Sequence, residues 1–417
     1  MAALTRSVYP EASSVHDGRL QIGGCDVLEL AATYGTPAYV MAEDDLRARA
    51  REFTGALAAA HDGPGEVVFA SKAMPCTAVL RVFAEEGLGC DVASGGELHL
   101  ALRAGFDPAK LYLHGNAKSR AELAMALEAG VGTVVLDNAE EARRLAELLD
   151  GRSQRVLLRV TPGVDADTHE AILTGQAGSK FGFAPDDARA LMADPPAGIE
   201  IAGLHMHLGS QLFALEPYRR AIAALGSLGR FEVYDLGGGL GVPYTAGDPV
   251  LDVEAWVRGM VEAAHAELAP DRALVLEPGR ALVAGAGVTL YRVESVKPGA
   301  AGELLVAVDG GMSDNLRPML YGASYEAHLV TRMGEEGVPS TVVGKHCESG
   351  DVLVRDAQLP EPRPGDVLVT PATGAYGYSM ANTYNGQPRP PVVFASGGRS
   401  RVVVRRETYE ELHARDV

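Results

Sequence analysis

Short apolar runs recur along the first two thirds of the chain, and each ends in a polar residue or a glycine. Eight of these runs begin near Glu66, Gly89, Leu111, Thr133, Val156, Ile201, Phe231 and Ala273. Most precede a segment whose apolar residues have helical spacing, such as 77–86 and 122–129. Strand-length runs that alternate with amphipathic helices are typical of βα units in a parallel sheet. Eight units predict a closed (β/α)8 barrel, a TIM barrel, over residues 41–285.

In a barrel of this kind the loops after the strands converge above the barrel axis, and the catalytic residues lie there. The polar residues and glycines that follow the eight runs are therefore expected to share one site. They are Lys72, Asp91, Ser94, His114, Asn138, Arg159, His205, His207, the glycines at 237–239, Glu277 and Arg280.

The pattern changes after about residue 285. Short strand-like runs follow one another without long helices between them, for example at 288–296 and 392–405. This spacing predicts an all-β domain over residues 286–417. Residues 1–40 contain another strand-like stretch, 19–27, and are expected to join that domain.

Charge and composition limit the class of protein. The formal net charge is −18, which opposes non-specific nucleic-acid binding because such binding depends on clustered Lys and Arg. No apolar stretch reaches the roughly 20 residues of a membrane span, and the first residues do not resemble a signal peptide. The four cysteines form no CxxC pair, which suits reduced thiols. We therefore expect a soluble, cytoplasmic enzyme with no membrane partner.

Three features of the predicted barrel rim point to one cofactor. Lys72 closes the first apolar run, and a lysine there either contacts phosphate or forms a Schiff base. The triple glycine Gly237–Gly239 lets backbone N–H groups approach an anion closely. Glu277, in the sequence Glu-Pro-Gly-Arg, adds a carboxylate after the next strand. A lysine, an anion cradle and a carboxylate together predict pyridoxal 5′-phosphate.

His205 and His207 permit a second interpretation. Two histidines at i and i+2 on a strand face the same side and bind zinc in some barrel hydrolases. Arg280 and the triple glycine nearby suit an anion better than a cation, so no metal is expected. A purely structural role for His205 stays open.

Ten ordered motifs carry a resemblance that extends over nearly the whole chain. The chain resembles the fold-type III, alanine-racemase-like family of pyridoxal-phosphate decarboxylases, and within it the diaminopimelate decarboxylases. The motifs are 70–73 (ASKA), 90–97 (CDVASGGE), 114–116 (HGN), 161–165 (TPGVD), 205–211 (HMHLGSQ), 235–239 (DLGGG), 277–280 (EPGR), 317–322 (RPMLYG), 347–351 (CESGD) and 374–376 (GAY).

The resemblance implies a role for each matched residue. Lys72 would hold the cofactor, His207 would stack on its ring, and Glu277 would pair with the pyridine nitrogen. Asp91 would lie close to Lys72 and His207 and orient them. The phosphate would be held by Ser210, Gly238, Gly239, Gly279, Arg280 and Tyr376. Asp91 also has an ordinary interpretation as a strand-end cap.

The resemblance further implies decarboxylation of meso-diaminopimelate to L-lysine by a homodimer with shared active sites. Cys347 from the partner subunit would supply the proton that replaces CO2. The distal end of this amino-acid substrate would be bound by Arg280, Arg317, Tyr321, Glu348 and Tyr376. Ornithine or lysine would leave the arginines desolvated and unpaired, which is costly.

Several alternatives stay open at this level. Arg317 has a second interpretation as a surface salt-bridge former, and a lone cysteine such as Cys347 is more often inert and buried. A decarboxylase of another amino acid, a metal-dependent barrel hydrolase and a non-catalytic homologue are the competing functions. Retention of Lys72, Glu277 and Cys347 together argues against the last of these.

Overall fold

The computed structural model describes residues 8–16, 18–163, 179–250 and 252–417. Within these residues the chain forms two compact units. The barrel unit lies within Ala48–Gly241 and Asp252–Ala281, and the β unit lies within Met1–Arg47, Val242–Leu251 and Leu282–Val417. Residues 1–7 of the predicted N-terminal segment, and Val164 and Asp165 of one motif, lie outside the described residues.

Eight parallel strands close the barrel unit, which confirms the predicted fold. In chain order each strand pairs with the next, and the last pairs with the first. The strands are β5 (Gly65–Ala70), β6 (Gly89–Val92), β7 (Leu111–Leu113), β8 (Thr133–Leu136), β9 (Gln154–Arg159), β10 (Ile199–His205), β11 (Val233–Asp235) and β12 (Ala273–Leu276).

A helix follows every strand of the barrel. Helix α2 (Glu43–Ala60) comes before the first strand. The others are α3 (Thr77–Glu85), α4 (Gly95–Ala104), α5 (Arg120–Ala129), α6 (Ala139–Leu149), α7 (Pro185–Ala193), α8 (Glu216–Gly226), α9 (Val253–Glu267) and α10 (Arg280–Val283).

Polar side chains fix where several of these helices begin. Ser94 accepts a hydrogen bond from the backbone N–H of Glu97, and Asn138 accepts one from that of Glu141. Ser119 and Glu122 form a capping box at the start of α5. Because N-terminal N–H groups have no partner inside a helix, these side chains stabilise the first turn. Ser94 and Asn138 thus stand at strand ends as predicted, and they serve there as helix caps.

Apolar side chains fill the barrel below its rim. Every member of this cluster is at least nine-tenths buried, as expected for a packed barrel interior. The cluster consists of Val68, Tyr112, Val135, Leu157, Ala202, Val233 and Val275. The rim residues therefore lie above a tightly packed apolar interior.

The β unit contains a nine-stranded sheet, a three-stranded sheet and short helices. The main path of the large sheet runs β17-β16-β14-β13-β4-β19-β20, and β18 joins β13 to β15. These strands are β4 (Ala38–Ala42), β13 (Gly287–Pro298), β14 (Leu304–Val308), β15 (His328–Leu329), β16 (Val338–Val343), β17 (Val352–Leu359), β18 (Val367–Thr370), β19 (Val392–Ser396) and β20 (Arg399–Val404).

The N-terminal segment belongs to this β unit. Strand β4 pairs antiparallel with β13 and parallel with β19. Apolar residues from both ends of the chain share one core, including Ile22, Val40, Leu290 and Val393. The remaining elements are β1 (Ser13–His16), β2 (Arg19–Ile22), β3 (Cys25–Asp26), α1 (Val27–Tyr34), α11 (Arg317–Tyr321) and α12 (Tyr409–Leu412). Among the described residues, no helix combines the length and the apolar character needed to cross a membrane.

The close packing of β10 against β11 can be tested by a substitution at Gly203. A Cβ atom at Gly203 in β10 would lie 1.9 Å from the carbonyl oxygen of Val233 in β11. We expect Gly203→Ala to lower the free energy of unfolding by at least about 1–3 kcal/mol, because the backbone has to move. Thermal and urea unfolding measure the change.

Gly55, inside α2, is the matched control. Nothing lies within 4 Å of a Cβ placed there. Gly55→Ala is expected to raise stability by about 0.5–1 kcal/mol, because alanine favours the helix. Equal effects of the two substitutions would contradict this description of the barrel.

Candidate active site

Lys72 and Asp91 meet at the carboxyl ends of the first two barrel strands. Lys72 lies in a single 3-10 turn, Ser71–Ala73, directly after β5. Its Nζ atom is 3.3 Å from Oδ2 of Asp91, which is buried in β6. The side chain of Lys72 is about half exposed, at 47%. The structure therefore places an accessible amine beside a buried carboxylate.

Glu277 lies between two imidazoles just after β12. Its Oε2 atom is 3.1 Å from Nε2 of His205, at the end of β10. Its Oε1 atom is 2.8 Å from Nε2 of His114, which follows β7. The angle of that second contact leaves Oε1 and the His114 Nε2 without a well-formed hydrogen bond. A buried carboxylate oxygen thus retains the capacity to accept a proton donor.

The surroundings decide the charge of this cluster. Burial alone would raise the pKa of Glu277, but His114 and His205 outweigh it and hold that pKa well below its usual range. Burial lowers the pKa of His205 to about 4, so this imidazole is neutral near pH 7. Burial and the nearby Glu277 raise the pKa of Asp235 well above its usual range. The opposite directions of these two shifts favour the negative charge on Glu277 and the proton on Asp235.

The glycine loop after β11 packs directly on its neighbours. A Cβ on Gly238 would lie 2.0 Å from the carbonyl oxygen of Glu277, so no side chain fits there. Gly239 has a φ of +111°, a left-handed conformation that favours glycine. The Tyr218 hydroxyl donates to the Gly238 carbonyl at 3.1 Å. The loop backbone is therefore held close to Glu277.

His207 and Ser210 lie beside this loop. The backbone N–H of Gly238 donates to Nδ1 of His207 at 3.4 Å. Burial, with Lys72 and Arg159 nearby, lowers the pKa of His207 well below its usual value, so its ring is neutral. Ser210 Oγ accepts from Nε and Nη2 of Arg280, at 3.1 and 3.0 Å. A neutral ring and a guanidinium–hydroxyl pair thus lie at the same rim.

The turn that contains Gly279 packs on the strand that leads to Lys72. The backbone N–H of Ala70 donates to the carbonyl oxygen of Pro278 at 3.3 Å. A Cβ at Gly279 would lie 3.0 Å from the Cβ of Ala70. The Glu277–Arg280 turn and Lys72 are therefore neighbours in the barrel unit.

In the β unit, Arg317 is buried rather than part of a surface salt bridge. It is 5% exposed, and its guanidinium carbon lies 4.4 Å from the ring centroid of Tyr244. Its Nη1 donates to the hydroxyl of Tyr325, while Nε has no hydrogen-bond partner. No carboxylate among the described residues forms an ion pair with it. The surface interpretation of Arg317 is therefore wrong.

Cys347 and Glu348 lie together on the surface of the β unit. Among the four cysteines only Cys347 is exposed. Its backbone N–H donates to Oδ1 of Asn385 at 3.0 Å, and the hydroxyl of Tyr384 donates to Glu348. The interpretation of Cys347 as an inert buried thiol does not hold.

Tyr321 and Tyr376 are the remaining predicted site residues. Tyr321 ends helix α11, which begins with Arg317, and it is partly buried. Tyr376 is partly buried and has a φ of +60°. A bulky residue rarely adopts this conformation, and such strain concentrates at functional sites.

The first comparison with known proteins concerns the barrel. Residues 43–284 match the family model described as "Pyridoxal-dependent decarboxylase, pyridoxal binding domain", which is more than half of the chain. The chain belongs to the pyridoxal-dependent decarboxylase family. Its cofactor is therefore pyridoxal phosphate, as predicted.

The relatives of this decarboxylase include several diaminopimelate decarboxylases. The one from Actinosynnema pretiosum subsp. auranticum is 47% identical, with 100% of this chain and 96% of that protein covered. The one from Bacillus subtilis (strain 168) is 43% identical, with 95% and 94% covered. The crystal structure of the M. jannaschii enzyme in co-complex with L-lysine is 32% identical, with a TM-score of 0.91 and 98% of each chain covered. The resemblance to this family is confirmed.

The barrel residues of this decarboxylase fit the cofactor. Oε1 of Glu277 is a buried acceptor without a well-formed hydrogen bond, which suits the N–H of a protonated pyridine ring. Lys72 offers the amine, and the glycine loop with Ser210 and Arg280 offers donors to a phosphate. The donor set matches the three functional parts of pyridoxal phosphate.

The two-histidine metal site finds no support in the geometry. One group of metal-ligand residues among the described ones lies together, with its ligand atoms within 4.8 Å: His114, His205, Asp235 and Glu277. His207 is not a member, so the i and i+2 pair does not converge. His114, His205 and Asp235 were not predicted to act on Glu277. Their positions at strand ends were visible in the sequence, but their convergence was not.

The low pKa of His205 gives a test. Its neutral form is favoured in the folded state, so its contribution to stability is complete above about pH 6.5 and is lost as the pH falls to about 4. The loss is on the order of 3 kcal/mol. His205→Gln should flatten the dependence of unfolding free energy on pH in this window, measured by urea unfolding.

Exposed His99 on α4 supplies the control, because His99→Gln should leave the profile unchanged. Identical profiles for His205→Gln and the unaltered protein would show that the buried imidazole is not the source of acid sensitivity.

Proposed function

We propose that this decarboxylase converts meso-2,6-diaminopimelate to L-lysine and CO2, the last step of lysine synthesis. The family supplies the reaction type, and the names of the relatives supply the substrate. The M. jannaschii structure is in co-complex with L-lysine, the expected product.

The buried guanidinium of Arg317 is the observation that carries the choice of substrate. It is fixed between Tyr244 and Tyr325, and the described residues provide no carboxylate to neutralise it. An unpaired buried charge is costly, whereas a planar guanidinium binds a carboxylate at two points. Diaminopimelate carries a second carboxylate that ornithine and lysine lack. The arginine therefore favours diaminopimelate.

The barrel residues hold the cofactor in this proposal. Lys72 would hold it covalently, Asp91 would orient that amine, and the neutral ring of His207 would stack on the cofactor ring. Glu277 keeps the pyridine nitrogen protonated. The phosphate is bound by Ser210, Gly238, Gly239, Gly279, Arg280 and Tyr376. When bound, the cofactor supplies a sink for the electron pair left when the bond to CO2 breaks.

The remaining predicted residues act on the substrate. Arg280, Arg317 and Tyr321 bind the distal carboxylate, Glu348 binds the distal ammonium, and Tyr376 also contacts the substrate. The Sγ atom of Cys347 delivers a proton to the carbon that has lost CO2. Exposure of Cys347 and Glu348 on the described chain supports their use by a second copy.

The active unit in this proposal is a homodimer in which each site takes Cys347 and Glu348 from the partner subunit. Residues 41–285 form the cofactor-binding domain, and residues 286–417, joined by 1–40, form the β domain that supplies the partner groups. The proposed location is the cytoplasm, where diaminopimelate would be met as a small-molecule substrate.

Release of CO2 from four amino acids tests the function. The loaded protein is assayed with meso-diaminopimelate, ornithine, arginine and lysine. Selective release from diaminopimelate, with L-lysine as the product, is expected. Turnover of one of the other amino acids in its place would leave the family intact and overturn the substrate assignment.

Arg317→Lys tests the specificity argument. Lysine keeps the charge but not the planar fork, so we expect kcat/KM for diaminopimelate to fall about 100-fold, the equivalent of about 3 kcal/mol. Arg332→Lys is the matched control, because Arg332 is paired with Asp366 in the same unit. An equal loss in both variants would show a general defect of the β unit.

Mixing two inactive variants tests the shared site. Lys72→Ala and Cys347→Ala are each expected to lose almost all activity. If each site draws Lys72 from one subunit and Cys347 from the other, dissociation and re-association of an equal mixture restores about a quarter of the original activity, since half the dimers contain one intact site. No recovery, with mixed dimers shown by native mass spectrometry, would place both residues in one subunit's site.

A further inference from the structure

A continuous line of polar groups connects Lys72 to Glu277 through His114. Asp91 Oδ2 is 3.3 Å from the Lys72 amine, and Asp91 Oδ1 is 3.9 Å from Nε2 of His114. The same Nε2 atom is 2.8 Å from Oε1 of Glu277. One imidazole nitrogen thus faces two buried carboxylates that belong to opposite ends of the proposed cofactor site.

Hydrogen bonds hold the backbone at His114 and at the residue that follows it. The N–H of His114 donates to the carbonyl oxygen of Val92 at 2.8 Å. Next to it, the carbonyl oxygen of Gly115 accepts from the buried amine of Lys118 at 2.7 Å. That amine also contacts Val135 and Glu141, at 2.7 and 2.6 Å. The loop is therefore anchored to β8 and α6.

We propose that His114 is a positioning residue whose Nε2 atom lies between Glu277 and Asp91 and restrains both carboxylates relative to each other and to the bound cofactor. This inference rests on the proposed cofactor placement and extends it. Loss of the imidazole frees Glu277 to turn and weakens its hold on the pyridine nitrogen. The same loss lets Asp91 shift against Lys72.

Other charged and titratable groups face this cluster. His205 contacts Glu277 from β10, and its ring lies 4.9 Å from that of His114, nearly perpendicular to it. Burial lowers the pKa of Arg159, while Glu277 and Asp91 are among the carboxylates that oppose this effect. The remaining groups are Asp235, His207, Glu97, Tyr112 and Lys72. None of them is substituted in a His114 variant, so a changed pH profile is caused by the loss of His114.

Two substitutions separate the N–H donor from the bulk of the ring. His114→Leu removes the donor, whereas the amide of His114→Gln can place an N–H near the position of Nε2. The apoproteins are titrated with pyridoxal phosphate, and the absorbance of the bound cofactor is followed against pH without substrate. His114→Leu is expected to raise the dissociation constant about tenfold or more, since hydrogen bonds to charged groups are strong. It should also shift the midpoint of the absorbance profile. His114→Gln should restore most of both properties.

His61→Gln is the matched control for folding. His61 is also buried in the barrel unit, where it contacts His265 and the carbonyl oxygen of Arg272. Circular dichroism and thermal unfolding of each apoprotein establish that the variants fold. His61→Gln is expected to leave cofactor affinity and the absorbance profile unchanged.

Two results would overturn the proposal. In the first, folded His114→Leu binds the cofactor with unchanged affinity and an unchanged pH profile. In the second, folded His114→Gln is as defective as His114→Leu, which would assign the effect to ring packing. Both readouts are independent of substrate. Failure of the unaltered protein to decarboxylate diaminopimelate would therefore refute the proposed function without touching this inference.

Discussion

The site at the barrel rim depends on one buried carboxylate that keeps its charge. Glu277 is 4% exposed, and His114 and His205 hold its pKa well below the usual range despite that burial. The two buried carboxyl groups differ, because burial and the nearby Glu277 raise the pKa of Asp235. A preorganised group of this kind does not have to reorient when a cation arrives. The rest of the rim, including the glycine loop that packs on Glu277, maintains this arrangement.

The β unit also contains a buried charged side chain without an ion-pair partner among the described residues, in this case the cation of Arg317. Arg317 lies among tyrosines, whose hydroxyl and ring faces stabilise a cation without neutralising it. A carboxylate placed beside it within the protein would compete with an anionic ligand. Both units thus contain a buried ion with an unused hydrogen-bonding atom, and in both cases aromatic or imidazole groups take the place of an ion-pair partner.

The barrel and many of its rim residues could be predicted from the sequence because all the strands of a parallel barrel end at the same rim. Each apolar run is short enough to be a strand, and the residue that ends it must lie at the shared rim. This rule places Lys72 and Glu277 at the rim. The roles of Ser94 and Asn138 were less visible, since a capping residue and a site residue occupy the same strand end. The contacts of His114 with Glu277, and of Tyr244 with Arg317, join residues far apart in the chain. Hydrophobic periodicity contains no information about such pairs.

The tight fit of Gly238 has a consequence for how such an enzyme can change over evolutionary time. A single methyl group there would strike the backbone that leads to Glu277, so the loop cannot be adjusted gradually toward a different ligand. Glu348 in the β unit is under no such restriction, since it is exposed and its carboxylate is contacted by the flexible side chain of Tyr384. Substitutions that alter substrate preference would therefore be tolerated more readily around Glu348 than in the glycine loop.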